Sequence, residues 1–111
     1  MKLKELTEKC GLETVNGFAD ENKEIAGAYS SDLLSDVIAN AKKDFVWITL
    51  QTHLNIIAVA ALKELAAIII VNNKEIDKDT LQKAEEEKVT LLRTGLNTFQ
   101  ISGKIYECGI H

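Results

Sequence analysis

The sequence predicts an α/β domain in which a mostly parallel β-sheet is flanked by layers of helices. Residues 45–50 read FVWITL, an apolar run rich in aromatic and β-branched residues, as buried strands are. A periodic apolar segment follows at residues 54–65, and a second apolar run occupies residues 67–71. Such short links between strand, helix and strand fit a right-handed crossover that joins two parallel strands.

The N-terminal part of the chain predicts a helix, two strands and a second helix. The first helix covers residues 2–10 and ends at Gly11, which suits a left-handed cap. Strands follow at residues 12–15 and 24–29, and Gly27 marks a bulge or a close backbone approach. Ser31 is the predicted N-cap of the next helix. The apolar side of that helix should face the core: Leu33, Leu34, Val37, Ile38 and Ala41.

The C-terminal part predicts a turn, a charged helix, a short strand and a last helix. Asn72 and Asn73 make the turn, and Asp77 is the candidate cap of the helix at residues 78–88. A strand at residues 89–92 follows. Asn97 or Thr98 caps the last helix, which ends at Gly109. Its inward side should carry the four apolar residues Phe99, Ile101, Ile105 and Tyr106.

Length and composition limit the class of protein. A chain of 111 residues predicts a single domain over residues 1–111, and 46% hydrophobic with 27% charged residues is typical of soluble globular proteins. A net charge of −4 argues against nucleic acid as a partner. The apolar stretch at residues 56–71 is broken by Lys63 and Glu64 and is too short to span a bilayer, and no signal peptide is recognisable. We therefore expect a cytoplasmic protein without membrane contact.

Several residues that could bind metal or carry redox chemistry have simpler interpretations. Cys10 and Cys108 lack C-x-x-C spacing, so two small buried thiols are expected rather than a zinc site or a disulfide. Asp32 and Asp36 share a helix face, but such a pair is too common to indicate a cation site, and Asp32 is expected to complement the helix N-terminus. Trp47 lies inside an apolar run and is expected in the core. No metal or cofactor is predicted.

Three predicted junctions between a strand and a helix carry hydroxyl groups: residues 29–32 (YSSD), 51–53 (QTH) and 94–98 (TGLNT). Unpaired N–H groups and the helix dipole favour an anion at such positions. In a parallel sheet all three junctions lie along one edge. The candidate ligand-binding residues are Ser30, Ser31, Thr52, His53, Asn55, Thr94 and Thr98. Helix capping without a ligand is the alternative, because Ser, Thr and Asn lead the N-cap preferences.

The sequence gives little support for catalysis. His53 could act as a general acid or base, or make a structural hydrogen bond. However, no nucleophile and base occur at a recognisable spacing. The motifs G-x-x-x-x-G-K-[ST] and G-x-G-x-x-G are absent, which argues against a kinase or a dinucleotide oxidoreductase. We expect a protein that is not an enzyme.

Three long segments together resemble the small stand-alone proteins of the DRTGG-domain family: residues 27–41 (GAYSSDLLSDVIANA), 46–62 (VWITLQTHLNIIAVAAL) and 91–110 (LLRTGLNTFQISGKIYECGI). This fold is also similar to the N-terminal, non-catalytic domain of HPr kinase/phosphorylase, whose phosphate-loop domain has no counterpart here. The family's name motif is not spelled out, and the nearest loop is QTHLN at residues 51–55.

The resemblance implies a regulatory or ligand-binding module. Relatives are fused to CBS domains in regulated pyrophosphatases, where the neighbourhood binds adenine nucleotides and diadenosine polyphosphates, and to phosphotransacetylase. Our first hypothesis is a non-enzymatic module that binds a small anionic ligand, with an adenine nucleotide as one candidate, at the C-terminal ends of the strands. The alternative is a protein-interaction module that assembles as a homodimer without a small-molecule ligand.

Overall fold

The computed structural model describes every residue from Met1 to His111 and contains a five-stranded sheet between two layers of helices. Its elements are α1 (Leu3–Cys10), β1 (Glu13–Thr14), β2 (Gly27–Ser30), α2 (Leu34–Asn40), β3 (Phe45–Thr49), α3 (Asn55–Lys63), β4 (Ala67–Ile70), α4 (Lys78–Glu86), β5 (Leu91–Arg93) and α5 (Thr98–Glu107). The strand order is β1-β5-β4-β3-β2. Strands β2 to β5 are parallel, and the short β1 runs antiparallel to β5. The predicted α/β fold with a mostly parallel sheet is confirmed.

The central strands are buried on both faces, which explains their continuous apolar sequence. Successive side chains of a strand point to opposite faces. Val46 and Ile48 therefore pack with α1 and α5, whereas Trp47 packs with α2, α3 and α4. Trp47 is fully buried, as predicted.

Strand β2 begins later than predicted, at Gly27 rather than at residue 24. The preceding residues pair with the N-terminus instead: the Ile25 N–H donates to the Met1 carbonyl, and Glu24 forms a bridge with Lys2. Gly27 lies opposite Phe45 in the sheet, and a Cβ atom added there would lie 2.6 Å from the Phe45 ring. Gly27 is therefore a site of close approach, but its neighbour is the Phe45 ring and not another segment of backbone.

Two helices bury fewer apolar residues than predicted. On α5, Ile101 and Ile105 are buried, but Phe99 is 87% exposed and Tyr106 is 63% exposed. Each residue of an α-helix turns the side chain by about 100°, so Phe99 and Tyr106 fall outside the stripe that Ile101 and Ile105 define. The predicted inward faces of both helices are wrong at four residues: Phe99, Tyr106, Leu33 and Ile38, the last two being exposed at α2.

Helix α3 is apolar around its whole circumference. Ile56, Ile57, Val59 and Ala60 are buried against the sheet and the neighbouring helices. Its outward positions are also apolar beyond Asn55, and its C-cap is Glu64, which has a left-handed backbone with φ of 53°. No helix in the structure, α3 included, has the length and apolarity needed to cross a membrane.

The two cysteines lie where α1 and α5 pack together. Cys10 is buried in the core, and Cys108 is half-buried against the same cluster. Both thiols are free. Burial, together with the smaller effect of the adjacent Cys108 thiol, raises the pKa of Cys10 to about 11. The expectation of two buried thiols therefore holds fully for Cys10 and partly for Cys108.

This arrangement predicts that the two cysteines differ in reactivity. Iodoacetamide at pH 8 should label Cys108 in the native protein and leave Cys10 almost unlabelled. Only the thiolate reacts, and a pKa near 11 instead of 9.0 leaves about a hundredfold less thiolate. Mass measured after timed labelling checks this, with Cys108→Ser as the matched variant. Equal labelling rates at both sites in folded protein would contradict it.

Candidate ligand-binding site

The loop after β2 is fixed onto the loop after β3 by the carboxylate of Asp32. Asp32 Oδ1 accepts hydrogen bonds from Thr49 Oγ1 at 2.9 Å and from the Leu50 N–H at 2.7 Å. The Gln51 side-chain amide donates to the Asp32 carbonyl at 3.0 Å. Asp32 was expected to complement the start of α2, but its hydrogen bonds hold the end of the neighbouring strand.

The loop after β2 is also held by a hydrogen bond from a core residue, Trp47. The Trp47 indole N–H donates to the Ser31 carbonyl at 2.8 Å. Ser31 Oγ accepts a hydrogen bond from the Leu33 N–H at 3.2 Å, and the N-cap position of α2 is Leu33, without a side-chain cap. The prediction that Ser31 is the N-cap is therefore wrong, because the N-cap position lies two residues further on and α2 begins at Leu34. Ser31 instead tightens the turn that precedes the helix.

One carboxylate orders the start of α2. The Tyr29 hydroxyl lies 2.9 and 3.0 Å from the two carboxylate oxygens of Asp36, and the Asn40 side chain donates to the same group. Hydrogen bonds from Ser31, then from Tyr29 and Asn40, lower the pKa of Asp36 from its ordinary value. The Asp36 hydrogen bond raises the pKa of Tyr29 in turn. The carboxylate of Asp36 thus stabilises the start of α2 through its hydrogen bonds to Tyr29 and Asn40.

The loop after β3 is also tied to α4. His53 Nδ1 lies 2.9 Å from Asp77 Oδ2, and Thr80 Oγ1 donates to the Thr52 carbonyl at 2.9 Å. Asp77 occupies the N-cap position of α4 as predicted, but its side chain makes no cap hydrogen bond. The structural hydrogen bond considered for His53 is present, and it fixes the imidazole ring beside the start of α3.

These contacts border an open cleft of about 220 Å³ at the C-terminal edge of the sheet. We call it the rim cleft; its lining residues are Asp32, Leu50, Gln51, Thr52, His53 and Lys74. The backbone N–H groups of residues 52, 53, 54 and 55 donate to no acceptor within the protein. They lie at the positive end of the α3 dipole. Thr52 and His53 are the two of these residues that line the cleft, so their N–H groups are donors available to an acceptor such as a phosphate.

The rim cleft is also lined by two charged side chains, Lys74 and Asp32. Lys74 forms no ion pair in the structure, so its ammonium group is free to bind an anion. Asp32 Oδ2 makes no hydrogen bond within the protein, so it can accept from a hydroxyl or amine. The cleft thus combines donors and an acceptor, and it suits a ligand that carries both kinds of group.

Sequence reasoning missed Lys74, although a signal existed. Lys74 follows Asn72 and Asn73, both of which have positive φ, and this turn connects β4 to α4. The rule that ligands bind beyond strand ends applies to β4 as well. The three junctions singled out in the sequence carry hydroxyl groups, whereas the end of β4 carries a lysine.

Ser30 lies at the same edge of the sheet but faces the other layer of helices. Its Oγ atom lies 2.7 Å from Ser102 Oγ on α5. The two serines border a second, more apolar cleft of about 240 Å³, which Ile48, Ile105 and Tyr106 also line. Ser30 is therefore separated from Thr52 and His53 by the loop that contains Ser31 and Asp32.

The third predicted junction is used for turn formation and capping. Thr94 is buried, and its hydroxyl accepts from the Leu96 N–H. Asn97 caps α5 in a reciprocal pair with Gln100, and Thr98 is the first helical residue. Of the two predicted caps, Asn97 is the observed one.

The seven candidate residues thus follow the predicted edge without forming one group. Thr52 and His53 line the rim cleft, whereas Asn55 begins α3 and is not part of its lining. Ser30 borders the apolar cleft, and the remaining candidates stabilise turns or begin α5: Ser31, Thr94 and Thr98. Their role in ligand binding stays a prediction. No group of three or more His, Cys, Asp or Glu side chains that could hold a metal ion is present.

The fold is a small three-layer α/β domain with a polar edge at the C-terminal ends of its parallel strands. The family model described as "DRTGG domain" matches residues 18–108, and the chain belongs to this family. The resemblance found in the sequence is confirmed. No curated protein sequence matches the chain.

A solved structure shares this fold. It contains the CBS and DRTGG domains of the regulatory region of Clostridium perfringens pyrophosphatase, complexed with its activator, diadenosine tetraphosphate. The TM-score is 0.76 at 16% sequence identity, over 94% of this chain and 45% of that chain. The present chain thus corresponds to less than half of that regulatory region. At this identity the similarity demonstrates the fold alone.

Proposed function

We propose that this protein is a non-enzymatic regulatory module that binds a small anionic ligand, of the adenine nucleotide class, in the rim cleft. The observation that carries the proposal is that one cleft is lined both by Lys74, which forms no ion pair, and by Thr52 and His53, whose backbone N–H groups have no acceptor within the protein. Membership of the DRTGG family supports a regulatory role. The related regulatory region, which binds a dinucleotide activator, supports the choice of nucleotides as the first ligands to test.

The carboxylate of Asp32 favours a nucleotide over inorganic phosphate. Its negative charge repels a bare phosphate that would fill the cleft. A ribose, however, presents hydroxyl donors that a carboxylate accepts well, as in dinucleotide-binding folds. A nucleotide can place its phosphate near Lys74 and the α3 N–H groups and its ribose near Asp32.

Ligand binding should stabilise the folded protein. A ligand that binds only the native state raises the free energy of unfolding, by about 2.7 kcal/mol at a hundred times its Kd. We therefore expect a nucleotide such as AMP or ATP to raise Tm, and Lys74→Ala to weaken its binding about 10–100-fold. That loss corresponds to a charge-assisted hydrogen bond of about 1.5–3 kcal/mol. Thermal shift and calorimetric titration provide the measurements.

Lys43→Ala is the matched control, because Lys43 is exposed and precedes β3 at the opposite edge of the sheet. It removes the same charge from the chain and should leave Kd unchanged. The proposal fails if no adenine nucleotide raises Tm at millimolar concentration. It also fails if Lys74→Ala and Lys43→Ala weaken binding equally, because binding would then follow net charge and not the rim cleft.

A second candidate function is assembly as a homodimer, and the exposed apolar side of α3 favours it. Leu54 is 42% exposed and Leu62 is 69% exposed. Light scattering over a range of protein concentrations tests this function independently of any ligand. A monomer at all concentrations would remove it.

A further inference from the structure

The outward side of α3 is a continuous apolar surface. It consists of Leu54, Ala58, Ala61 and Leu62, which are all exposed, and we call it the α3 outer face. No residue from Asn55 to Leu62 is charged. A helix that is apolar on all sides is normally covered on all sides. The sheet covers only the inner side of α3, so the outer face lacks a partner within the chain.

The position of α3 within its layer suits an interface. It is the middle one of three helices and packs against α2 on one side and α4 on the other. The neighbouring helix α2 also carries an exposed apolar residue, Ile38, which is 41% exposed. Charged residues of α4, such as Lys83 and Glu86, lie toward the margin of the layer. An apolar centre with a polar margin is the usual anatomy of a protein–protein interface.

The α3 outer face has a leucine at each end and an alanine in the middle, so these three positions match themselves when the sequence is reversed; Ala61 then corresponds to Asn55. Leu54 already has α-helical backbone angles, so Leu54 and Leu62 lie about 12 Å apart along the axis at 1.5 Å per residue. The small Ala58 lies midway between them. In two antiparallel copies related by a two-fold axis near Ala58, Leu54 meets the partner's Leu62, and the alanines allow the helices to approach closely. A symmetric dimer requires a self-complementary surface of this kind.

The absence of charge on the α3 outer face also favours a second copy of the chain as the partner that covers it. Each copy carries a net charge of −4, so two copies repel each other wherever their charged surfaces meet. The α3 outer face carries no charge, and two copies can approach there without placing like charges in contact. An acidic or basic partner would find no complementary group on this face.

We propose that the α3 outer face is a homodimer interface in which two copies of α3 pack antiparallel around a two-fold axis near Ala58. This inference rests on the assembly function proposed above and gives it a location. It does not depend on ligand binding in the rim cleft.

The first experiment compares two exposed apolar residues on opposite layers of the domain. Sedimentation equilibrium of the native chain should give a dimer of the 12.3 kDa protein at micromolar concentration. Leu62→Glu should raise the dimer dissociation constant at least 100-fold, because it places a carboxylate against leucine in each of the two symmetric Leu54–Leu62 contacts. The matched control is Phe99→Glu, which changes an 87% exposed residue on α5 and should leave the dimer intact. Unchanged circular dichroism and Tm establish that each variant is folded.

The second experiment tests the position of the axis. Ala58→Cys should form a disulfide-linked dimer under mild oxidation, because both copies of residue 58 lie close to the axis. Ser35→Cys, on α2, is also exposed and should not crosslink; the wild type, which keeps the native cysteines, provides the background.

The outcomes separate the interface from the assembly function. A monomeric wild type up to millimolar concentration overturns both. A dimer that survives Leu62→Glu, or that fails to crosslink through Ala58→Cys, overturns this interface and leaves assembly through another surface.

Discussion

Replacing Trp47 by alanine should lower the free energy of unfolding by about 3–5 kcal/mol, the usual cost of removing a large aromatic side chain from a core. Trp47 is fully buried between the sheet and the layer formed by α2, α3 and α4. Its loss leaves a cavity in a close-packed interior and removes a hydrogen bond to the Ser31 carbonyl. Urea unfolding followed by circular dichroism gives the change in free energy.

Trp47→Phe is the matched variant, because it keeps an apolar ring but removes the indole N–H. We expect it to cost less than the alanine variant and to loosen the loop from Ser30 to Asp32. Hydrogen exchange of the backbone N–H groups in that loop should therefore increase. A loss below about 1 kcal/mol for Trp47→Ala would contradict the central place given to this residue, since single core truncations of this size usually cost more.

The two central strands, β3 and β4, could be predicted because each is identified by its own short apolar run of sequence. Strands β3 and β4 are apolar on both faces and need no knowledge of the rest of the fold to be recognised. Gly27 was also predictable, because a glycine inside a strand often marks a close approach. Its neighbour, the Phe45 ring, belongs to a different strand and could not be identified from the sequence.

The inward faces of the helices were less predictable. Phe99 and Tyr106 are apolar residues close to Ile101 and Ile105, but α5 is covered by the sheet along one narrow stripe. An apolar composition therefore does not reveal which residues reach the core. The exposed leucines of α3 show the same limitation, because only the packed structure distinguishes its inner and outer sides.

The candidate site depends on contacts between residues that lie far apart in the sequence. Asp32 and Thr49 are 17 residues apart, and His53 and Asp77 are 24 apart. The strand-end rule identified the edge of the sheet, but it could not identify which loops touch. For that reason it included Thr94, whose side chain is buried in a turn, and omitted Lys74.

Replacing Asp32 by alanine should lower the free energy of unfolding by about 1–3 kcal/mol, because the buried Thr49 hydroxyl loses its acceptor. Thr49→Val removes the donor from the same pair. In a double-mutant cycle, the second substitution should cost much less in the Asp32→Ala background than in the wild type. Additive losses would show that the two side chains act independently.

Asp32→Asn separates the structural role of this residue from its proposed role in nucleotide binding. Asparagine keeps a carbonyl oxygen that can accept from Thr49 and the Leu50 N–H, so most of the stability should remain. It removes the negative charge, however, and with it the strong acceptor offered to ribose hydroxyls. If the carboxylate binds ribose, Asp32→Asn should weaken nucleotide binding and strengthen the binding of inorganic phosphate, since a repulsive charge has left the rim cleft. Stronger binding of both ligands would mean that Asp32 only opposes anions, and the ribose would then lie elsewhere.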